Sequence, residues 1–207
     1  FTREQLAGDL LENPSIDQKI ATGYNRLLQT SHEGGVQPRE YLAIYAADSI
    51  RNVSGVWMGA TVGCAQCHDH KYDPYTAKDF YSMSAFFADI DEEQHFKVGS
   101  NALPTKRPPE IPVLSYRDRE ELKRLEAVNP KTDEIFKKIK AIKTKERLTM
   151  VTQSVKPRVT RVLPRGDWLD DSGEIVEPAV PAFLGNLSIT DRRANRLDFA
   201  NWLVDID

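Results

Sequence analysis

Gly63-Cys-Ala-Gln-Cys-His-Asp-His-Lys-Tyr-Asp-Pro74 is the stretch that decides how the chain is read. Both cysteines of the protein fall in its first half, Cys64-Ala-Gln-Cys67-His68, so a disulfide framework is excluded by count. Two thiols three positions apart on a helical turn suit the two vinyl groups of one porphyrin. A histidine directly after the second thiol then projects its imidazole under the ring. Cys64, Cys67 and His68 meet all three demands and imply one covalent haem c, with Cys64 and Cys67 as thioether anchors and His68 as the proximal iron ligand. Machinery that attaches haem in this way works outside the cytoplasm, so a periplasmic or extracellular protein is expected. Two other chemistries use the same residues. Cys64, Cys67, His68 and His70 are four ligands for a structural zinc, although adjacent ligands at 67 and 68 are awkward around one tetrahedral ion. A redox dithiol is the other, and it lacks the strand-then-helix context such motifs have.

Upstream of the motif the pattern is helical. Thr2 with Gln5, and Ser15 with Gln18, have capping-box spacing and open two helices, the first running through Leu11. The second carries Ile16, Ile20, Tyr24, Leu27 and Leu28 at helical intervals. Ser31-His32-Glu33-Gly34-Gly35 is a loop, and Pro38 suits the first turn of a third helix. That helix carries Leu42, Tyr45, Ala46, Ser49, Ile50, Val53 and Trp57, and it ends near Gly59. Downstream, residues 69–75 form a polar turn. Thr76 caps a helix with Asp79 in its first turn and an aromatic face of Phe80, Met83, Phe86, Phe87 and Ile90. Trp57, Tyr72, Tyr75, Phe80, Phe86 and Phe87 crowd around the motif in sequence and are candidates to wall a haem. Asp69, Asp73, Asp79, Asp89 and Asp91 do not fit a twelve-residue calcium loop and read as surface or capping groups.

Residues 91–115 hold prolines and little periodicity. From Arg117 to Leu148 the chain is strongly charged and is broken at Asn129-Pro130, as in a helical hairpin. Residues 151–155 and 158–163 read as strands, with turns at Gly166, Gly173, Pro178 and Pro181, and a last helix begins at Leu197.

At 207 residues, 40% of them hydrophobic, the chain can bury a core. A net charge of −3 argues against a nucleic-acid partner. No apolar run approaches the length of a membrane span. The chain starts at Phe1 and stops within a helical pattern, and is expected to be a processed piece or fragment, so a missing leader does not place it in the cytoplasm.

Gly63 to Pro74, followed by Asp79-Phe-Tyr81 and Ala85-Phe-Phe-Ala88, resembles the planctomycete-type cytochrome c proteins. These are large secreted proteins built around a domain of unknown function with a Cys-x-x-Cys-His-Asp-His-Lys signature. The likeness extends over Tyr24–Gly35 and Tyr41–Gly59 and covers about residues 1–98. Residues from about 150, with Leu163-Pro-Arg-Gly-Asp167 and Val176-Glu-Pro178, look like the opening of the domain that usually follows. The expected architecture is therefore mainly α. It has a helical haem c domain over residues 1–98, a Pro-rich linker over 99–116, a charged helical hairpin over 117–149, and a β-containing, truncated second domain over 150–207.

The resemblance implies haem, export and redox work without fixing a reaction. The expected function is one-electron transfer, with periplasmic redox proteins or other domains of the same polypeptide as partners. A haem enzyme or small-ligand binder with an open distal site is the alternative, and an interaction module with structural zinc is a third. What lies opposite His68 separates the first two. The distal candidates are His95, His32 and Met83, in that order. His70 is too close to His68 to reach the far face of the same haem. It is expected to bond a propionate, to serve a second haem, or to pin the turn with Asp73.

Overall fold

The structure, a computed structural model, describes residues 1–28, 35–97 and 107–205. It is mainly helical, with small two-stranded sheets. The helices are α1 (Thr2–Ala7), α2 (Ile16–Ala21), α3 (Pro38–Val53), α4 (Ala77–Ser84), α5 (Gln94–Lys97), α6 (Tyr116–Ala127), α7 (Asp133–Lys143) and α8 (Arg196–Leu203). The strands are β1 (Glu110–Val113), β2 (Arg147–Met150), β3 (Thr160–Arg161) and β4 (Ile175–Val176), paired antiparallel as β1 with β2 and β3 with β4.

Local chemistry explains most of the helix starts. Ser15 and Gln18 form the expected capping box, with the Ser15 N–H donating to Gln18 Oε1 at 2.9 Å and the Gln18 N–H donating to Ser15 Oγ at 3.2 Å. Thr76 and Asp79 do the same for α4, and Pro38 occupies the first turn of α3. The expected Thr2 box does not form. Helix α1 starts at Thr2 itself, and the Thr2 hydroxyl accepts from the Trp57 indole N–H at 2.9 Å instead. Helix α3 passes into a wide turn over Ser54–Met58, which stops at Gly59 in the left-handed region (φ 60°).

Helix α2 stops at Ala21, short of the expected run to Leu28, and a tight turn over Thr22–Arg26 follows. Tertiary hydrogen bonds hold that turn. Thr22 Oγ1 accepts from the Thr152 N–H (2.8 Å), and the Thr22 carbonyl accepts from the Thr152 hydroxyl (2.8 Å). Buried Arg26 donates to the carbonyls of Pro108, Pro109 and Val151.

The expected linker contains a strand. β1 lies within residues 99–116 and pairs with β2 in the register Glu110↔Met150 to Val113↔Arg147. This ladder closes the base of the α6–α7 hairpin, which breaks between Ala127 and Asp133 as the Asn129-Pro130 signal requires.

The run expected as strands at 151–155 and 158–163 is mostly not paired within its own segment. It lies along residues 88–91 instead. The Val155 N–H donates to the Asp89 carbonyl (2.7 Å), the Asp91 N–H to Gln153 (3.0 Å) and the Arg158 N–H to Ala88 (3.0 Å). Only Thr160–Arg161 forms a strand there, against Ile175–Val176. The C-terminal segment also enters the core that contains Leu6, Ile50, Val62, Phe80, Met83 and Phe86, adding Val176, Val180, Phe199 and Ala200. Phe199 stacks on Phe86 with centroids 4.7 Å apart. Burying such a ring is worth about 1.5–3 kcal/mol. Arg196, with no exposed surface, gives Nε to Asp89 Oδ1 (2.7 Å), NH2 to Asp9 Oδ2 (2.8 Å) and NH1 to the Leu6 carbonyl (2.8 Å). Asp89 is thus a buried ion-pair partner, contrary to the surface or capping role its sequence context suggests.

A candidate haem-attachment turn

The Cys-x-x-Cys-His unit sits on a tight helical turn over Val62–Gln66, between the end of α3 and the start of α4. Val62 and Ala65 point into the core, which sets the register of the turn and leaves Cys64, Cys67 and His68 exposed. Both thiols are free. Buried Tyr81, from α4, donates its hydroxyl to the Gln66 carbonyl at 2.9 Å and fixes the middle of the turn from below. Burial, and then the neighbouring Cys67, push the Tyr81 phenol up to about 12, so it remains a donor across the working pH range. On the other side, the Pro164–Gly166 turn lies against Cys67. Gly166 has a φ of +74°, and a Cβ there would lie 2.9 Å from Cys67 Sγ.

The two histidines of the signature are held in opposite tautomers. His68 Nδ1 is 2.8 Å from the Asp69 carbonyl. A carbonyl only accepts, so the hydrogen sits on Nδ1 and the Nε2 lone pair is left for a metal. A donated second ring N–H of this kind is the usual way a ligating histidine is oriented. His70 is the reverse. Its Nδ1 accepts from the backbone N–H groups of Asp73 (2.9 Å) and Tyr72 (3.3 Å), so Nε2 carries the hydrogen and donates to Thr61 Oγ1 at 3.1 Å. The His70 N–H also donates to the Tyr75 carbonyl (2.8 Å). The link to Asp73 runs through its backbone N–H, with the carboxylate oxygen farther off at 3.4 Å. His70 therefore ties the turn to Thr61 and to the 72–73 backbone.

Asp69 completes the loop. Its Oδ1 accepts from the Ala77 N–H at 2.8 Å, at the first residue of α4. The run from His68 to Pro74 is therefore a closed polar turn tied to Thr61 at one end and to α4 at the other.

The remaining candidates are scattered. Met83 is fully buried in the core, with no exposed surface. His32 lies outside the described residues, and for His95 only the backbone, within α5, is described. Of the aromatic residues near the motif, Phe80, Phe86, Phe87 and Tyr75 are buried and Tyr72 is exposed. Among the described residues, no three His, Cys, Asp or Glu side chains are gathered as a metal ion would require. With both ring nitrogens of His70 in use, the four-ligand zinc arrangement is not assembled. Tyr81 and Gly166 meet the turn only through the fold, and nothing in their sequence context ties them to it.

The fold and site define a mainly helical domain that presents a Cys-x-x-Cys-His turn on its surface. Residues 1–92 are similar to the family described as PSCyt2, protein of unknown function (DUF1549). No curated protein and no solved structure matches it. No helix among the described residues is long and apolar enough to cross a membrane.

Proposed function

We propose that the chain is a c-type cytochrome module that works by one-electron transfer. Cys64 and Cys67 bind one haem c through thioethers, and His68 is its proximal ligand. The observation that carries this reading is the state of His68. Its Nδ1–H is committed to the Asp69 carbonyl and its Nε2 is free, one residue from an exposed thiol. The donor set suits the group: two accessible thiols, and an imidazole in the tautomer that ligation needs.

A bound haem supplies a one-electron redox centre. The protein's own residues do the rest. Tyr81, Val62 and Ala65 hold the attachment turn in place, Asp69 orients His68 through its carbonyl, and His70 ties the following loop to Thr61. The module is exported to the periplasm or beyond, where attachment takes place. Its electron partners are other redox proteins there or further domains of the same polypeptide. His95, His32 and Met83 remain the candidates for the distal position. Use of Met83 would require α4 to give up a fully buried core side chain.

The test is expression with export in a host that has haem-attachment machinery, followed by absorption spectra of the oxidised and reduced protein with and without carbon monoxide. A covalently retained haem, absent from the Cys64→Ala/Cys67→Ala variant, supports the reading. A reduced spectrum unmoved by carbon monoxide supports electron transfer, and a shift moves the assignment to a haem enzyme or ligand binder. No haem absorbance from a folded, exported chain would overturn it.

A further inference from the structure

Behind the attachment turn lies a cavity of about 440 Å³ between α3, α4 and the 158–171 segment. The size falls within the ~300–1,000 Å³ of small-molecule sites. Its walls are largely apolar and aromatic: Leu42 and Ala46 from α3, Phe80 and Phe87 from the α4 side, and Leu163 and Trp168 opposite. Gln66 lines it from the attachment turn, but Cys64, Cys67 and His68 do not; those three are exposed. The cavity thus adjoins the turn that offers the thiols without including them.

Its charged groups are unequally matched. Arg39 pairs with Asp171. Arg158 gives NH2 to buried Glu92 (3.1 Å) and NH1 to the Ile90 carbonyl (2.7 Å). Arg161 gives NH1 to the Gly173 carbonyl (3.1 Å) and has no carboxylate partner among the described residues. A half-buried guanidinium with donors to spare, at the side of an aromatic-lined cavity, is suited to a carboxylate, which it can meet with two parallel hydrogen bonds.

We propose that this cavity is a binding site for a small aromatic carboxylate, with its ring on the apolar lining and its carboxylate on Arg161. The occupant would sit against Gln66 of the thiol-bearing turn, whose carbonyl accepts from Tyr81. The proposal rests on the cavity and Arg161 rather than on the haem assignment, and a porphyrin edge in the cavity would displace it.

The experiment is calorimetric titration of the exported full chain with 2-naphthoate. Saturable one-to-one binding is expected. Arg161→Gln should weaken it about tenfold or more, as loss of a charge-assisted hydrogen bond implies. Arg161→Lys, which keeps the charge and loses the fork, should fall between, and guards against a folding defect in the glutamine variant. Ala46→Phe, which fills the cavity from α3, should abolish binding with the thermal melt retained. The neutral analogue 2-naphthol should bind more weakly than the carboxylate. Absence of saturable binding, equal affinity for the two probes, or an indifferent Arg161→Gln variant would overturn the proposal. So would a haem-loaded protein that refuses naphthoate while Arg161→Gln shifts its midpoint potential, because the cavity would then hold the porphyrin edge.

Discussion

Replacing His70 by alanine separates its role in the turn from any role in ligation. The substitution deletes an acceptor for two backbone N–H groups, of Asp73 and Tyr72, and a donor to Thr61 Oγ1. Each bond contributes about 0.5–1.5 kcal/mol net, and the two amides belong to exposed residues that water can reach again. The expected cost is therefore about 2 kcal/mol. For a chain of this size that lowers Tm by about 4–8 °C. Asparagine places a carbonyl oxygen where Nδ1 stood, in the geometry of an Asx turn, and keeps the two backbone bonds while losing Thr61. His70→Asn should cost about 1 kcal/mol and lower Tm by about 2–4 °C. Thermal melts give the ranking, and absorption spectra of the haem-loaded proteins should be the same for all three chains. A changed ligand signature in His70→Ala, or an asparagine variant as unstable as the alanine one, would refute the pinning role.

Truncating Arg196 to methionine leaves Asp9 and Asp89 as largely buried carboxylates without their cation, and should cost about 3–5 kcal/mol in urea unfolding. A loss below about 1 kcal/mol would mean that α8 is not locked to the N-terminal segment in this way. Burial pushes the Glu92 carboxyl from its ordinary 4.5 up to about 7, against the pull of Arg158. Because the folded-state value is raised, its stability contribution is complete below about pH 4.5 and is lost as pH rises through 7, by about 3 kcal/mol in all. Glu92→Gln should flatten that slope in melts taken across the range, and an unchanged slope would assign it to other groups. Gly166→Ala puts a side chain in the left-handed region at about 1–2 kcal/mol and presses on Cys67 Sγ, so both Tm and the yield of covalent haem should fall. Full haem yield in that variant would show that the 164–166 turn does not brace the thiol.

The chemical signature was legible because it is contiguous. Two thiols and an imidazole within five residues are set by the chain itself, and so are the starts of α2, α3 and α4, whose caps lie three residues apart or at a single proline. The hairpin break at Asn129-Pro130 is equally local. Thr2 shows the limit of that logic. Its spacing to Gln5 is right for a capping box, yet the Trp57 indole, fifty-five positions away, takes its hydroxyl. The strand at Glu110–Val113 was hidden among prolines because its partner begins only at Arg147, beyond the whole hairpin.

The sequence by itself determined the Cys64–His68 unit, the helical class and the local caps, since each depends on side chains within a turn or two of one another. The backbone path of the 61–75 loop, which residue identities do not reveal, decided what the two signature histidines meet: the Asp69 carbonyl for His68, and Thr61 with the 72–73 amides for His70. Only the tertiary structure decided that residues 150–205 pack into the N-terminal core, through Arg196 on Asp9 and Asp89 and Phe199 on Phe86. Those partners are separated by more than a hundred positions. Burial and charge pairing, which act through space, brought them together where periodicity along the chain had nothing to register.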